Sequence, residues 1–411
     1  MSEVQVWVSQ GDQDVHAGTL YTHRRRGAES ATFTYAGPYL ARDDAYALDP
    51  ALALRSGSHH TAAGQKLFGA LIDGAPDRWG RTLVNRCETA LARGEGRAPR
   101  ALAEVDYLLG VRDDLRQGAV RFQLDGGPFV ADEVTGVPAL TDLPALLDLA
   151  DRAEVDRADL ADLQRLVRAG SSLGGARPKA HVRDAEGRIA IAKFPSADHD
   201  TWDVMAWEKV ALDLASHAGI SVPASRLLDL AGRSVLVIDR FDRTAAGDRI
   251  GYVSAMTMLE ATDGDQRSYV EIAEVIERTS SRTTRDLHEL WRRIVFTVLI
   301  SNTDDHLRNH GFVHERGEVW RLSPAFDLNP DPQPGPTFLS TSIDDGDDAA
   351  SVRLVLAVAG VFRLSSAQAH ATLGEVTAAV SGWQHVAASH GLTAKAIQQM
   401  QPAFSALEDV P

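Results

Sequence analysis

The segment from Gly170 to Phe194 constrains this chain more than any other. A glycine-rich stretch, Gly170-Ser171-Ser172-Leu173-Gly174-Gly175-Ala176-Arg177-Pro178-Lys179, leads through Ala180-His181-Val182-Arg183 to the apolar run Ile189-Ala190-Ile191-Ala192, which ends in Lys193. Gly174 and Gly175 lack a Cβ, so the backbone there can take positive φ and bring N–H groups close to an anion. By itself a Gly-Gly turn between strands is more often structural, and this one follows neither G-x-G-x-x-G nor the P-loop pattern. A lysine leaving a buried strand needs an anionic partner or an escape to solvent. The next amphipathic stretch, with Val204, Trp207, Val210, Leu212 and Leu214, reads as a helix ending at Gly219 and carries Glu208 as such a partner.

The second constraint lies a hundred residues on. Leu287, Leu290, Trp291, Ile294, Val295 and Val298 recur at three and four, the pattern of a largely buried helix. That helix feeds Ser301-Asn302-Thr303-Asp304-Asp305-His306-Leu307-Arg308-Asn309, then a hairpin turning at Glu315-Arg316-Gly317-Glu318, then Ala325-Phe326-Asp327. Asp304 and Asn309 are spaced as the base and the metal-binding Asn of a kinase catalytic loop, and Asp327 stands where a second magnesium ligand is expected. D-x-x-x-x-N alone is common by chance. The ordered set of glycine turn, strand lysine, helix glutamate, Asp/Asn loop, hairpin and aspartate points to phosphoryl transfer. In that chemistry a carboxylate orients the nucleophilic hydroxyl and hard oxygen ligands hold Mg²⁺ across the phosphates. His306 reads as a loop-fixing imidazole before a base or ligand, and Asp305 as a solvated or loop-bracing carboxylate. Asp239-Arg240-Phe241-Asp242-Arg243 follows the Val235–Ile238 strand. Either backbone groups near Asp239 and Phe241 bind adenine, or this is a charged strand end with internal ion pairs.

Elsewhere the chain is plainer. Val4, Val6 and Val8 alternate as a first strand, and Thr32–Tyr35 reads as another. Pro76-Asp77 precedes a helix with Trp79, Leu83 and Val84, and Leu143–Leu166 reads as one acidic amphipathic helical stretch. Arg226–Leu230 and Ser234–Asp239 read as strands joined through Ala231-Gly232. His59-His60 and Arg24-Arg25-Arg26 read as exposed loop residues, the arginines being the best local contacts for an acid or phosphate. With 42 Lys+Arg against 57 Asp+Glu, a formal charge of −15, the chain is unsuited to holding nucleic acid by itself. The single Cys87 excludes a disulfide framework and a Cys-based zinc site. Without a signal peptide or a membrane-length apolar run, the expected location is the cytoplasm.

These strings resemble the HipA family of serine/threonine kinases, the toxins of bacterial toxin–antitoxin pairs. The likeness extends into the N-terminal part through Leu67-Phe68-Gly69-Ala70, Pro76-Asp77-Arg78-Trp79-Gly80-Arg81 and Asp106-Tyr107-Leu108-Leu109-Gly110. It continues through Ser171–Lys179, Arg240–Arg243, Thr303–Asn309 and Leu322–Asp327. The resemblance implies an α+β, bilobal protein-kinase-like fold: an N-terminal accessory domain over 1–130, a kinase N-lobe over 131–245 and a mostly helical C-lobe over 246–411. It implies ATP and Mg²⁺ as cofactors, with Lys193 on the phosphates and Asp304 as catalytic base. Asn309 and Asp327 would hold metal. Leu173, Gly174, Gly175, Ala176 and Arg177 would cover the phosphates with Lys179 close by, Asp239, Phe241 and His306 would complete the nucleotide site, and Glu208 would support Lys193. Ser172, or else Ser171, matches the site of autophosphorylation, whose two negative charges would displace the ATP phosphates. The family's targets include aminoacyl-tRNA synthetases, and its partner is a helix-turn-helix antitoxin through which operator DNA is reached. One departure is Asp305, where the best-characterised relatives carry glycine. A small-molecule kinase and a catalytically silent corepressor are the competing readings; intact Lys193, Asp304, Asn309 and Asp327 weigh against the latter.

Overall fold

The computed structural model describes residues 2–130, 136–170, 177–197, 199–333, 335, 337–344 and 346–410. The chain divides into two compact units. The first comprises Met1–His199, Asp239–Val253 and Val313–Glu318; the second comprises Asp200–Ile238, Ser254–Phe312 and Val319–Pro411.

The first unit opens with strands β1 (Ser2–Gln10), β2 (Gln13–Arg25) and β3 (Ala28–Tyr35), followed by the short helix α1 (Gly37–Leu40) and strand β4 (Ser58–His60). With β5 (Val120–Gln123) they form an antiparallel sheet ordered β4-β3-β2-β1-β5. Val4, Val6 and Val8 are fully buried, as alternation requires of a strand with one wet face. Strand β2 passes β3 so closely that a Cβ on Gly18 would lie 2.3 Å from the Thr34 carbonyl oxygen. Two sequence expectations are corrected here. Arg24 and Arg25 end strand β2 rather than lie in a loop, because Arg26 and Gly27 both take positive φ and make the two-residue turn. His59 is buried, 3 % exposed, with its ring edge-on to Tyr35, because it points inward from a strand.

Helix α2 (Gly69–Asp73) then precedes α3 (Arg78–Gly94), which starts where Asp77 caps it: Asp77 Oδ1 accepts the Gly80 amide at 2.7 Å. After α4 (Glu104–Gly110), the acidic stretch is two helices rather than one, α5 (Leu143–Glu154) and α6 (Leu160–Arg168). Asp156 at φ 57° breaks it, and Asp159 restarts it through a capping box with Asp162. The unit closes with the antiparallel pair β6 (Lys179–Arg183) and β7 (Ile189–Lys193), in which Lys179 stands opposite Lys193.

The second unit begins with α7 (Val204–His217), capped by Asp203 and stopped before Gly219 at φ 77°. Strands β8 (Ser225–Leu230) and β9 (Arg233–Asp239) meet across Ala231 and Gly232, both at positive φ, a tight hairpin. After strand β10 (Tyr252–Ser254), whose first two residues belong to the first unit, the one-turn helix α8 (Ala255–Met258) leads to α9 (Tyr269–Thr279) and α10 (Thr283–Leu299). Helix α10 is the centre of this unit's core: Leu287, Leu290, Trp291 and Ile294 are fully buried, and the Trp291 indole donates to the Val355 carbonyl at 3.0 Å. Strand β11 (Gly311–Arg316) follows the Ser301–His310 loop and belongs to the second unit only as far as Phe312; β12 (Val319–Leu322) and the helices from Val352 onward complete the second unit. Among the described residues no helix is long and apolar enough to cross a membrane.

Candidate active site

The loop from Ser301 to His310 leaves the buried end of α10. Its first residue, Ser301, takes φ 50°, which turns the chain sharply at the helix end. Asp304 projects as an exposed residue. Three bonds converge on the short span behind it. The His306 amide donates to the Asp304 carbonyl at 2.9 Å, Asn309 Nδ2 donates to the same carbonyl at 3.1 Å, and the Asn309 amide donates to the His306 carbonyl at 2.8 Å. The five-residue spacing therefore serves the backbone first: Asn309 reaches back across one 3₁₀ turn, Leu307–Asn309, to fix Asp304. Using its amide nitrogen in this way directs the Asn309 Oδ1 away from that carbonyl.

Asp305 alternates inward, 3 % exposed. Its Oδ2 accepts the Tyr269 hydroxyl at 2.5 Å and the Thr297 hydroxyl at 3.2 Å, and its Oδ1 lies 3.2 Å from His310 Nε2. Thr341 donates to its carbonyl at 2.7 Å. Burial pushes the Asp305 carboxyl up, but His310, Tyr269 and Thr297 outweigh it and hold the group below its ordinary value. The loop-bracing reading of this residue is the one the geometry supports.

Asp327 follows β12 on the far side of the hairpin. It adopts φ 59°, a left-handed conformation that a non-glycine residue holds only when its surroundings impose it. Asn329 Nδ2 donates to its Oδ1 at 3.2 Å. The segment after it is tied to the Ser301 loop: the Asn329 amide donates to Asn302 Oδ1 at 3.3 Å, the Asp331 amide to the Ser301 carbonyl at 3.2 Å, and Thr303 Oγ1 to Asp331 Oδ2 at 3.1 Å. Asp304, Asn309 and Asp327 thus belong to two segments held edge to edge within the second unit. Sequence reasoning overlooked Asn302, Asn329 and Asp331. The run Asp327-Leu328-Asn329-Pro330-Asp331 carries the signal, since Asn and Asp at such spacing favour side-chain bonds to nearby backbone.

His306 does not fix the loop through its ring. Its Nδ1 is buried with no hydrogen-bond partner among the described residues, and the loop bonds run through its backbone. A cleft of about 740 Å³ in the same unit is lined by Ser216, Ser221, His288 and Arg292 among others, and by none of the site residues expected from sequence.

In the first unit, Lys193 ends β7 half-buried, while Lys179 is 3 % exposed and ion-paired with Asp77. Arg177 is half-buried. Ser171, Ser172, Leu173, Gly174, Gly175 and Ala176 lie outside the described residues. Glu208, 1 % exposed, belongs to the second unit. The Asp239–Arg243 string splits by face. Arg240 and Asp242 point inward and Asp239 and Phe241 are half-buried. Arg240 forks onto Asp242 at 2.6 and 2.8 Å and also donates to the Leu115 carbonyl at 2.7 Å, while Arg243 and the Gly118 amide each reach Asp242 Oδ2 at 2.8 Å. The internal ion pairs are therefore present. Burial pushes the Cys87 thiol up to about 11, which leaves it protonated and inert.

A carboxylate and an amide oxygen are hard donors of the kind Mg²⁺ takes, and a pair suffices where substrate phosphates supply the remaining ligands. Asp327 and Asn309 fit that donor set. Among the described residues no cluster of three or more His, Cys, Asp or Glu side chains could hold a metal ion without such help.

The family model for the HipA-like C-terminal domain matches residues 171–383, just over half of the chain. The chain belongs to the HipA family. Two curated relatives, each named as a putative kinase, match parts of this HipA-family chain. Y4dM of Sinorhizobium fredii is 31% identical over 152 residues, 34% of this chain and 36% of the relative. A Haemophilus influenzae protein is 27% identical over 142 residues, 29% of this chain and 39% of the relative. The matched region spans little more than a third of either relative's length. A solved structure covers nearly everything: the Shewanella oneidensis toxin–antitoxin complex of HipA, HipB and operator DNA aligns with 99% of this chain and 97% of that one. Its TM-score is 0.69 at 15% identity, so the two share a fold. The HipA-family chain is accordingly an α+β protein of kinase-like fold.

Proposed function

We propose that this HipA-family chain is a Mg·ATP-dependent serine/threonine protein kinase that acts as a growth-arresting toxin. The observation that carries the proposal is the exposed Asp304, its backbone pinned by Asn309, beside the segment that presents Asp327.

In this reading Asp304 accepts the proton of a substrate hydroxyl. The hydroxyl oxygen attacks the γ-phosphorus of ATP, the bond from that phosphorus to the β-γ bridging oxygen breaks, and ADP leaves. Asn309 and Asp327 would hold Mg²⁺, which would supply positive charge against the phosphate oxygens. Lys193 supplies positive charge to the phosphates. Leu173 to Arg177 cover the phosphates, with Lys179 at the base of that segment. The backbone near Asp239 and Phe241 takes adenine, consistent with a string whose Arg240 and Asp242 are consumed inward. His306 flanks the nucleotide.

The acceptor is a serine or threonine of a translation component such as an aminoacyl-tRNA synthetase, a class that the resemblance includes among the family's targets. Phosphorylation of Ser172, or else Ser171, is self-inactivating. A helix-turn-helix antitoxin similar to HipB is the partner, and operator DNA is reached only through it, in keeping with a net charge of −15. The protein acts in the cytoplasm.

The test is direct. Purified protein incubated with γ-labelled ATP and Mg²⁺ labels itself or proteins of a cell lysate, and Asp304→Asn does not. A wild-type chain that labels neither overturns the reading.

A further inference from the structure

Asp77 performs two tasks with its two oxygens. Oδ1 caps α3 through the Gly80 amide, and Oδ2 holds the ammonium of Lys179. Both side chains are nearly sealed from solvent, at 4 and 3 % exposure. Burying such a pair costs desolvation that its attraction only partly offsets, so stability alone is a poor reason for it.

Its position suggests a better one. Lys179 is the first residue of β6, directly after the glycine-rich segment, and it stands opposite Lys193 in the register of β6 and β7. Directly opposed residues put their side chains on the same face, and like charges so placed repel. The Phe194 amide donates to the Pro178 carbonyl at 2.9 Å, which ties the chain just before Lys179 to the chain just after Lys193. A displaced Lys179 would therefore disturb both the start of β6 and the end of β7.

We propose that Asp77 is a positioning residue for nucleotide binding: by holding the Lys179 ammonium it anchors the strand that follows the glycine-rich segment and leaves Lys193 as the cation presented to phosphate. The inference rests on the kinase reading above, and it gives the N-terminal part of the chain a role in the phosphate site.

Asn caps a helix about as well as Asp, so Asp77→Asn removes the charge and keeps the cap. Two readouts are taken on the full chain: the dissociation constant for Mg·ATP by calorimetry, and the acylation of each lysine without nucleotide, read by mass spectrometry. In the wild type Lys179 is protected. In Asp77→Asn it becomes reactive and Mg·ATP binds about tenfold more weakly, the size of a typical coupling between contacting residues. A pair with a merely structural role lowers the melting temperature of that variant and leaves the dissociation constant unchanged, which overturns the proposal.

Lys179→Gln and the double variant Asp77→Asn/Lys179→Gln decide the matter even if the single Asp77 variant does not fold. If Asp77 acts through Lys179, these two bind Mg·ATP equally. A further loss in the double variant overturns the proposal. A wild-type chain that binds no Mg·ATP overturns the kinase reading and the positioning role with it, and its own isotherm separates that result from the others.

Discussion

The Tyr269 hydroxyl donates to Asp305 Oδ2 at 2.5 Å, and both residues are buried. One helix of the second unit thereby holds the residue next to Asp304 and turns its carboxylate away from solvent. Burial, then the Asp305 charge, push the Tyr269 phenol well above its ordinary value, so it stays protonated and donates throughout the physiological range.

Tyr269→Phe leaves a buried carboxylate with one donor fewer. Hydrogen bonds to charged groups contribute about 1.5–3 kcal/mol, and the unfolding free energy in urea should fall by that order. On the proposed kinase reading autolabelling should slow as well, because Asp305 fixes the backbone on which Asp304 stands. A variant within about 0.5 kcal/mol of wild type, smaller than most mutational effects, would show that the contact is not stabilising.

Asp242 supplies a pH prediction. Burial pushes its carboxyl up, but Arg240 and Arg243 hold it far below the carboxylate range. A depressed carboxyl contributes stability that is fully present above its unfolded value, about 3.9, and is lost as pH falls toward the folded value. Asp242→Asn should therefore cost about 3–5 kcal/mol at neutral pH, the usual effect of breaking a buried ion pair. Below about pH 4 the gap to wild type should narrow by about 1.4 kcal/mol per pH unit. Unfolding free energies measured from neutral to acid pH check this, and a constant gap would contradict it.

Gly170 and Gly187 both take positive φ, 81° and 85°, but their surroundings differ. A Cβ at Gly170 would lie 2.6 Å from His181 Nδ1 and from Leu115 Cδ1, whereas one at Gly187 meets nothing within 4 Å. Gly187→Ala should show only the left-handed backbone penalty, about 1–2 kcal/mol. Gly170→Ala should lose a further 1–3 kcal/mol or so from the clash. Thermal unfolding of the two variants measures the difference; equal losses would mean that Leu115 and His181 yield freely.

Much of this was legible in local chemistry. Alternating valines marked β1, Pro76-Asp77 the start of α3, Gly219 the end of α7, Ala231-Gly232 a hairpin, and a three-and-four apolar repeat the buried α10. The break between α5 and α6 was legible too, in Asp159-x-x-Asp162, and was masked by apolar residues that continue in helical phase across it. Strand β2 was harder, because its exposed face carries Thr, His and Arg, and Gly18 interrupts the alternation.

Asp304, Asn309 and Asp327 were candidates from spacing and residue type, since phosphoryl transfer admits few alternatives to carboxylate and amide oxygens; that they lie on two segments tied edge to edge is what the structure adds. By itself the sequence marked many of the elements, though not β2 or the break between α5 and α6, and offered candidate side chains for the chemistry. Only the tertiary structure decided which charges are spent internally. Asp305, Lys179 and His59 read from sequence as exposed, loop-bracing or ligand-facing groups, and the internal ion pairs of Arg240 and Asp242 were only one of two open readings. Each is buried because partners distant in the chain, such as Tyr269, Gly118, Asp77 and Tyr35, offset the cost of leaving water, and no local pattern specifies a partner from two dozen to more than a hundred residues away.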